Sequence, residues 1–343
     1  MTDRVALVGK TLEELEELMV DLKQPTFRAK QVFNWIYNQK VDTITQMKNL
    51  PKDLRSELQQ VAMLEDFTVL NRQLSKDGTE KYLFQLTDGE KVETVYLPNQ
   101  GGRKSLCISS QVGCAMGCNF CATGLQGLSR NLTAGEIINQ ILMVERLKKE
   151  RISNVVLMGM GEPLANYEQV LKAINLINHE AGLNIGSRRI TLSTCGLVPE
   201  IKKLAEEKFQ LTLAISLHAP TDQLRSQMMP INQRYPLEDL LGACDYYINQ
   251  TGRRVSFEYA LVEGVNDSQN LARKLASLLS NMLAHVNLIP INPVQEFEYN
   301  KPHKKSIQLF KEQLEMKNIP VTVRVERGAD IDAACGQLKA KEA

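Results

Sequence analysis

Three cysteines stand together in one short stretch, Cys114, Cys118 and Cys121, and no fourth cysteine follows nearby. The C-x3-C-x2-C spacing brings three thiols to one side of a compact loop. A structural zinc site closes its tetrahedron with four protein ligands, so this loop leaves one coordination position open for a substrate or cofactor. Thiolates are soft ligands that suit iron–sulfur clusters. The motif predicts such a cluster, and the alternative is a zinc loop with a distant fourth ligand such as a histidine.

The chain as a whole has the composition of a globular protein. Its 343 residues suffice for one large domain and a smaller one. No apolar run approaches the roughly 20 residues that span a membrane, and the N-terminus lacks a signal pattern, so we expect a cytoplasmic protein. Seven cysteines, an odd number, argue against a disulfide framework. The net charge of +1 means that a nucleic-acid partner would need a local basic face.

The first part of the chain predicts a small accessory domain. Amphipathic periodicity indicates a helix over 11–24, a second helix after Pro25 and a third near Pro51. Trp35 on the second helix is best interpreted as a core residue, and the alternative is a basic, aromatic face that touches RNA. An alternating pattern with Asp88-Gly89 at its turn then predicts a β-hairpin. Residues 1–95 are therefore predicted to form a helical domain with a β extension.

Strands and helices alternate in the rest of the chain. Strands are predicted at 104–110, 154–159, 188–193, 211–216, 255–261, 285–290 and 320–325. Helices are predicted near 133–149, 168–179, 198–206, 236–250, 268–280 and 303–317. This alternation predicts an α/β fold with a parallel sheet, as a partial or full βα barrel over 96–325. The chemistry of such barrels sits at the C-terminal ends of the strands, where the cysteine loop also falls. Residues 326–343 look like a tail.

Polar residues follow several predicted strands. Gly161 and Glu162 lie in a Met-Gly-Met-Gly-Glu-Pro turn, where glycine lets a ligand approach the backbone and a carboxylate can accept from an ammonium group. A tight βα turn is the alternative. Ser193, His218 and Asn292 end later strands, and His218 alone could equally be a hydrogen-bonded core residue. In the tail, Cys335 stands among small residues, which favours an accessible thiol over a buried one.

Several of these stretches resemble the RlmN/Cfr family of radical S-adenosylmethionine (SAM) rRNA adenine methyltransferases, most closely its RlmN branch. They are residues 107–114, 114–121, 131–137, 158–163, 216–220 and 330–338. The resemblance runs from about residue 10 to the end. It implies a radical SAM barrel in which Cys114, Cys118 and Cys121 hold a 4Fe–4S cluster. It also implies two SAM molecules per turnover. The SAM contacts would be Gly161, Glu162, Ser193, Ser216, Leu217, His218 and Asn292.

The resemblance further implies a mechanism with a methylated cysteine. Carbon 2 of adenine is electrophilic, so a sulfonium cannot simply transfer its methyl group there. In the family one SAM methylates a cysteine, by position Cys335, and a radical from the second SAM activates that methyl group to attack the base. The protein–RNA crosslink is then released by a base, Glu93, and by Cys107 through a transient disulfide. For Glu93 an exposed strand carboxylate without a catalytic role is the alternative.

The implied product is 2-methyladenosine at adenosine 2503 of 23S rRNA, before ribosome assembly hides the site, and in some members also at the adenosine beside the tRNA anticodon. A Cfr-type C8 methyltransferase is the nearest rival, and an RNA-binding protein with a structural metal loop is the rival of another class. An electron donor such as flavodoxin or ferredoxin is implied, and a monomer is expected. Arg103, Lys104 and Arg130 are candidate phosphate contacts, whereas Cys195 and Cys244 match no catalytic position.

Overall fold

A computed structural model describes most of the chain and has an α/β fold, as predicted. The described residues are 4–64, 67–98, 101–207, 209–292 and 297–340. Residues 1–3 and 341–343, which belong to the predicted accessory domain and tail, lie outside them. No helix in the described ranges combines the length and the apolar character that crossing a membrane requires.

The described strands include one close to each predicted strand, and also the short strands Val5–Ala6, Ala62–Met63, Gln111–Gly113 and Leu128–Asn131, which were not predicted. In chain order they are β1 (Val5–Ala6), β2 (Ala62–Met63), β3 (Thr68–Leu74), β4 (Glu80–Gln85), β5 (Lys91–Pro98), β6 (Lys104–Cys107), β7 (Gln111–Gly113), β8 (Leu128–Asn131), β9 (Asn154–Leu157), β10 (Ile190–Thr194), β11 (Thr212–Ser216), β12 (Val255–Leu261), β13 (Ala284–Pro290) and β14 (Val321–Val323).

The helices begin where the sequence supplies caps. Thr11 and Thr133 each form a capping box with a glutamate three residues later, which satisfies free backbone N–H groups at the helix start. The α-helices are α1 (Leu12–Asp21), α2 (Phe27–Tyr37), α3 (Lys52–Val61), α4 (Ala122–Leu125), α5 (Ala134–Lys148), α6 (Tyr167–Asn178), α7 (Val198–Glu206), α8 (Asp222–Met228), α9 (Leu237–Thr251), α10 (Gln269–Leu279) and α11 (Lys304–Glu315). Short 3-10 helices cover Ile44–Gln46, Pro163–Asn166, Ser187–Arg189, Pro230–Gln233 and Ala329–Ile331.

One sheet organises the molecule. Its order is β14-β13-β12-β11-β10-β9-β6-β5-β4-β3, and all pairs from β6 to β14 are parallel. Among the described residues β14 pairs only with β13, so the barrel is partial. Side chains at the ends of strands from β6 to β13 nevertheless line common cavities, so the sheet curves around them.

The predicted β extension continues this sheet. Strands β3, β4 and β5 pair antiparallel, and β5 pairs antiparallel with β6. The predicted boundary at residue 95 therefore falls inside β5. Buried side chains of α1–α3 belong to the same apolar core as those of the barrel, and Trp35 is half-buried against it. The division into accessory domain, barrel and tail stays a prediction.

The tail contacts two parts of the chain that are far from it in sequence. Asp330 accepts hydrogen bonds from the Ser75 hydroxyl (2.6 Å) and from the Lys76 N–H (3.2 Å) in the β3–β4 turn. At the other end the Gly336 carbonyl accepts from the Ala122 N–H (2.7 Å), and the Leu338 carbonyl accepts from Thr123 Oγ1 (2.6 Å). The tail thus connects the hairpin with the segment that follows the three cysteines.

Candidate active site

The cysteine loop follows β7 and leads into α4. Its fold is held by Cys121 N–H donating to the Cys118 carbonyl (3.2 Å) and by Cys114 N–H donating to the Gly127 carbonyl (2.8 Å). Burial is the main reason why the pKa of the Cys114 thiol rises to about 11. Burial, and then the charges of Cys121 and Cys114, raise the pKa of Cys118. As free thiols Cys114 and Cys118 are therefore neutral near pH 7, and a bound metal centre would have to displace their protons.

The arrangement of the thiols bears on what they can hold. Within the described ranges no three His, Cys, Asp or Glu side chains converge as ligands of a single ion. Three separate thiols that border one cavity fit a larger iron–sulfur cluster. The residues present therefore fit the cluster, and Cys114, Cys118 and Cys121 are the candidates to hold it.

A cavity of about 170 Å³ adjoins the three thiols. Of the predicted SAM contacts, those that line it are Gly161, Glu162, Ser193, Ser216, His218 and Asn292. Leu217 does not. It directly follows β11, its side chain is fully buried in the main apolar core, and its N–H donates to the Glu258 carbonyl (3.0 Å).

Glu162 is held rigidly at the cavity. Its carboxylate accepts from the N–H groups of Cys195 (2.7 Å) and Leu164 (3.0 Å), and its own N–H donates to Gln111 Oε1 (2.8 Å). Burial raises the pKa of Glu162, and the Cys195 N–H opposes that rise. Gly161 must be glycine, since its φ is +100° and a Cβ would lie 2.5 Å from the Cβ of Gln111. A buried carboxylate with free lone pairs is suited to an ammonium group.

His218 is a neutral imidazole at the same cavity. Burial, and then the Arg225 charge, lower its pKa to about 3. Its Nδ1 accepts from the Ala260 N–H (2.9 Å), which leaves the remaining proton on Nε2. The ring of Phe120 packs edge-on against it at 4.7 Å. The histidine is thus hydrogen-bonded, as one interpretation expected, and it is also part of the cavity wall. Its role as a SAM contact stays a prediction.

Two buried oxygen atoms in this cavity lack a hydrogen-bond partner. They are Oδ1 of Asn292 and Oε2 of Glu258, and the latter has only an ion pair with Arg324 Nη1 at 3.6 Å. A buried acceptor without a hydrogen bond costs about 1–3 kcal/mol, so a ligand with N–H or O–H donors is expected there. SAM carries such donors on its amino group, ribose and adenine. These oxygens without hydrogen bonds therefore fit SAM.

A second cavity of about 160 Å³ lies beside the first. Cys107 belongs to its wall, whereas Arg324, Asn292, Gly336 and Cys335 belong to the walls of both cavities. Cys335 is exposed, its sulfur lies 3.8 Å from Nη1 of Arg324, and its carbonyl accepts from Asn292 Nδ2 (3.2 Å). The Cys335 residue therefore borders both cavities, and its sulfur could contact a ligand in either one.

Cys107 is close to Cys335 but is not bonded to it. All seven cysteines lie in the described ranges and are free, so a lasting disulfide is not supported. Burial and then the neighbouring Cys335 raise the pKa of Cys107 to about 12, while Arg324 opposes the rise. Cys107 is thus a protonated thiol near pH 7. Cys195 and Cys244 are buried thiols, and Cys195 also belongs to the first cavity.

Glu93 is buried rather than exposed. Its Oε1 forms an ion pair with Lys81 Nζ (3.0 Å), and its Oε2 accepts from the N–H groups of Lys339 (2.8 Å) and Ala340 (3.2 Å). The end of the tail therefore covers this carboxylate. Neither cavity includes Glu93 in its wall. The base that the resemblance implies would reach a substrate only after residues 339–340 move.

Some residues of the site escaped prediction because no local pattern marks them. Gln111, Lys81, Arg225, Glu258 and Arg324 contact predicted site residues or line a cavity. Gln111, Glu258 and Arg324 act across a long stretch of sequence, whereas Lys81 and Glu93 lie on neighbouring strands of the hairpin. Arg324 directly follows β14, and that position alone could have drawn attention to it, whereas Glu258 lies in the middle of β12.

Two of the predicted phosphate contacts already have protein partners. Arg130 pairs with Glu136 (2.7 Å) and with Asp88 (2.7 Å). Lys104 pairs with Glu150 (3.1 Å). An RNA phosphate would have to compete with these carboxylates, which makes both residues weaker candidates than Arg103, whose side chain is exposed.

Comparisons with known proteins agree with this geometry. Models of the Radical SAM superfamily and of the ribosomal RNA large subunit methyltransferase N-terminal domain match residues 108–275 and 5–64. The chain is 51% identical over 340 residues to a dual-specificity RNA methyltransferase RlmN of Alkaliphilus oremlandii, covering 99% of this chain and 98% of the relative. An RlmN of Symbiobacterium thermophilum is 52% identical over 340 residues, covering 98% of this chain and 91% of the relative. A solved radical SAM methyltransferase from Sphaerobacter thermophilus superposes with a TM-score of 0.95 at 47% identity, covering 98% of this chain and 100% of that one.

Proposed function

The chain belongs to the RlmN family of radical SAM RNA methyltransferases, and we propose that it methylates carbon 2 of adenosine 2503 in 23S rRNA. It is a methyltransferase that uses SAM and a 4Fe–4S cluster and acts on RNA. The words "dual-specificity" in the names of its relatives support a second RNA substrate, the adenosine beside the anticodon of some tRNAs. The choice of carbon 2 over carbon 8 rests on the resemblance to RlmN.

The position of Cys335 between two cavities carries the proposal. The three cluster cysteines and most of the proposed SAM contacts line the first cavity, and Cys107 lines the second, while Cys121 and Asn292 line both. A ping-pong reaction requires one group that meets the methyl donor first and the methyl acceptor afterwards. The exposed sulfur of Cys335 meets that requirement, because it can take a methyl group in one cavity and present it to an adenine in the other.

The first cavity would hold SAM beside the cluster. Glu162 would accept from the SAM amino group, and Ser193, Ser216, His218 and Asn292 would supply the remaining polar contacts. When bound, the cluster supplies the electron that cleaves SAM and so starts radical chemistry. The protein's part is to orient the sulfonium and to keep water out, and the buried wall formed by Ala260 and Ile291 serves that end.

The second cavity would receive an adenine taken out of its stack, as base-modifying enzymes require. Cys107 is placed there to attack the Cys335 sulfur. An S–S bond would form while the bond between that sulfur and the methylene carbon breaks, and the carbon would keep the electron pair and take up a proton to complete the methyl group. Glu93 would take the ring proton once the end of the tail leaves its carboxylate. Lys81 would stay paired with Glu93.

The partners follow from this chemistry. Naked 23S rRNA, before ribosome assembly, is the proposed main substrate, because a flipped adenine must be accessible. A flavodoxin or ferredoxin is the proposed source of electrons. The protein is proposed to act as a monomer, since both cavities are lined by one chain.

Mass spectrometry of the modified nucleoside tests the proposal. Protein reconstituted anaerobically with iron and sulfide is incubated with SAM, a reductant and an rRNA fragment, and the RNA is digested. We expect 2-methyladenosine. 8-Methyladenosine would retain the mechanism and refute the position, whereas zinc-loaded protein that binds RNA without any methylation would favour the non-catalytic alternative.

Two variants test the roles of the thiols. Cys335→Ala should keep the cluster and lose methylation, and a wild-type rate would refute the covalent route. Cys107→Ala should accumulate a protein–RNA crosslink on a denaturing gel. Cys244→Ala is the matched control, because Cys244 is a fully buried thiol in the core away from both cavities.

A further inference from the structure

Arg225 is a fully buried arginine on α8, directly behind the cavity that adjoins the three thiols. Its guanidinium donates to the carbonyls of Cys195 (2.7 Å), Ser216 (3.2 Å) and Leu217 (3.2 Å). It also donates to Oδ1 of Asn232 (2.9 Å). All these acceptors are neutral oxygens. The arginine therefore fixes the ends of β10 and β11, but its hydrogen bonds do not neutralise its charge.

A buried charge without a counter-charge is costly. Arginine stays protonated in proteins, so it cannot avoid the cost by losing its proton. Burial lowers the pKa of Arg225, which reflects this cost. Moving an ion out of water costs several kcal/mol unless an opposite charge or enough dipoles replace the water. The carbonyl dipoles replace part of the solvation, and an anion nearby would replace the rest.

The helix that carries Arg225 is attached to the cysteine loop. The Asn119 N–H donates to the Met228 carbonyl (3.1 Å), and Asn119 Nδ2 donates to the Gln227 carbonyl (2.7 Å). Cys118 packs with Met228 and Cys195 in one small apolar cluster. The guanidinium also contacts the wall of the thiol cavity, because Cys195 and Ser216, whose carbonyls accept from Arg225 Nη2, line that cavity together with Cys118. The positive charge therefore lies directly behind the cavity that the three thiols border.

An iron–sulfur cluster held by three thiolates is anionic, and it gains a further negative charge when it is reduced. We propose that Arg225 is the counter-charge of this cluster, a positioning residue that helps to retain it and raises its reduction potential. This inference rests on the proposed assignment of the three cysteines as ligands. Net charge near a cluster is one of the factors that set its potential. The low dielectric around a buried arginine strengthens the effect.

Replacing Asp222 should shift the reduction potential of the cluster in the opposite direction to replacing Arg225. Asn232 connects it with Arg225, since Asn232 Nδ2 donates to Asp222 Oδ1 (3.0 Å) while Asn232 Oδ1 accepts from the guanidinium. Asp222 is exposed at the start of α8, so its replacement by asparagine threatens the fold far less than a change at Arg225. Removing its negative charge makes the surroundings of the cluster more positive and favours the reduced cluster.

Redox titration of the reconstituted protein, followed by the EPR signal of the reduced cluster, tests the proposal. At the wild-type midpoint potential, Arg225→Met should lower the ratio of reduced to oxidised cluster at least tenfold, equivalent to about 59 mV for one electron. Arg225→Lys keeps the charge while losing some hydrogen bonds, so it should stay near the wild-type midpoint. Asp222→Asn should move the midpoint upward by a smaller amount.

The outcomes separate this inference from the proposed function. Equal shifts in Arg225→Met and Arg225→Lys would mean that Arg225 acts only through its hydrogen bonds, and the counter-charge role would be refuted. If Arg225→Met does not fold, the titration of Asp222→Asn decides, and an unchanged midpoint there overturns the proposal. Wild-type protein that takes up no iron and sulfide would instead refute the ligand assignment itself.

Discussion

The conformation of Gly336 determines how the tail docks beside the cysteine loop, and Gly336→Ala tests that docking. Gly336 has a φ of +85°, and a Cβ there would lie 3.3 Å from the carbonyl oxygen of Phe120. The left-handed conformation costs an L-residue about 1–2 kcal/mol, and the tight contact adds to it. A change of this size corresponds to a factor of about 5–30 in an equilibrium, so the docked tail should become less favoured by that factor.

Hydrogen exchange at the Ala122 amide measures this equilibrium directly. That N–H donates to the Gly336 carbonyl at 2.7 Å, so its exchange rate follows the fraction of molecules with a released tail. We expect exchange about 5–30 times faster in Gly336→Ala. The rate of Cys335 methylation should fall as well, because the sulfur then leaves the wall between the cavities.

Gly252→Ala is the matched control. Gly252 has a similar φ of +65°, follows α9, and a Cβ there would meet nothing within 4 Å. The variant should lose stability by about 1 kcal/mol from the same backbone strain while its Ala122 exchange stays at the wild-type rate. Unchanged exchange of Ala122 in Gly336→Ala would refute the docking contact, and faster exchange in both variants would show that the effect is global.

Three further predictions concern pH, the SAM turn and the fold. The raised pKa of Cys107 (about 12) leaves little thiolate at neutral pH. In single-turnover gels, release of the crosslink should therefore quicken about tenfold per pH unit across the neutral range. A flat pH profile would mean that Cys107 is not the attacking thiol. Gly161→Ala forces a Cβ to within 2.5 Å of Gln111. The free energy of unfolding measured in urea should fall by about 2–4 kcal/mol, and SAM binding measured by calorimetry should weaken. Wild-type values for both would contradict the close packing. Thr133→Ala removes the cap of α5 and should cost about 1 kcal/mol in urea unfolding with SAM affinity unchanged; a loss of affinity would tie this helix to the site.

Local patterns accounted for most of the barrel. The predicted strand 255–261 coincides with β12, and the predicted helix 198–206 coincides with α7. Side-chain periodicity and caps act between residues a few positions apart, so they can be read from the sequence. The polar residues at strand ends were also predictable, because the ends of parallel strands meet at one edge of a sheet. Glu162, Ser193 and Ser216, which that rule identified, line one cavity.

The sequence by itself determined the strand–helix alternation, the three-thiol loop and the turn at Gly161. Only the tertiary structure decided that the hairpin joins the barrel sheet, that Leu217 turns away from the cavity, and that Cys335 stands between two cavities. It also decided that the N–H groups of Lys339 and Ala340 donate to Glu93 and that Arg225 is buried without a carboxylate among its hydrogen-bond partners. The physical reason is distance along the chain. Contacts such as that between Ser75 and Asp330, 255 residues apart, arise from packing of the whole fold and leave no periodic trace in the sequence.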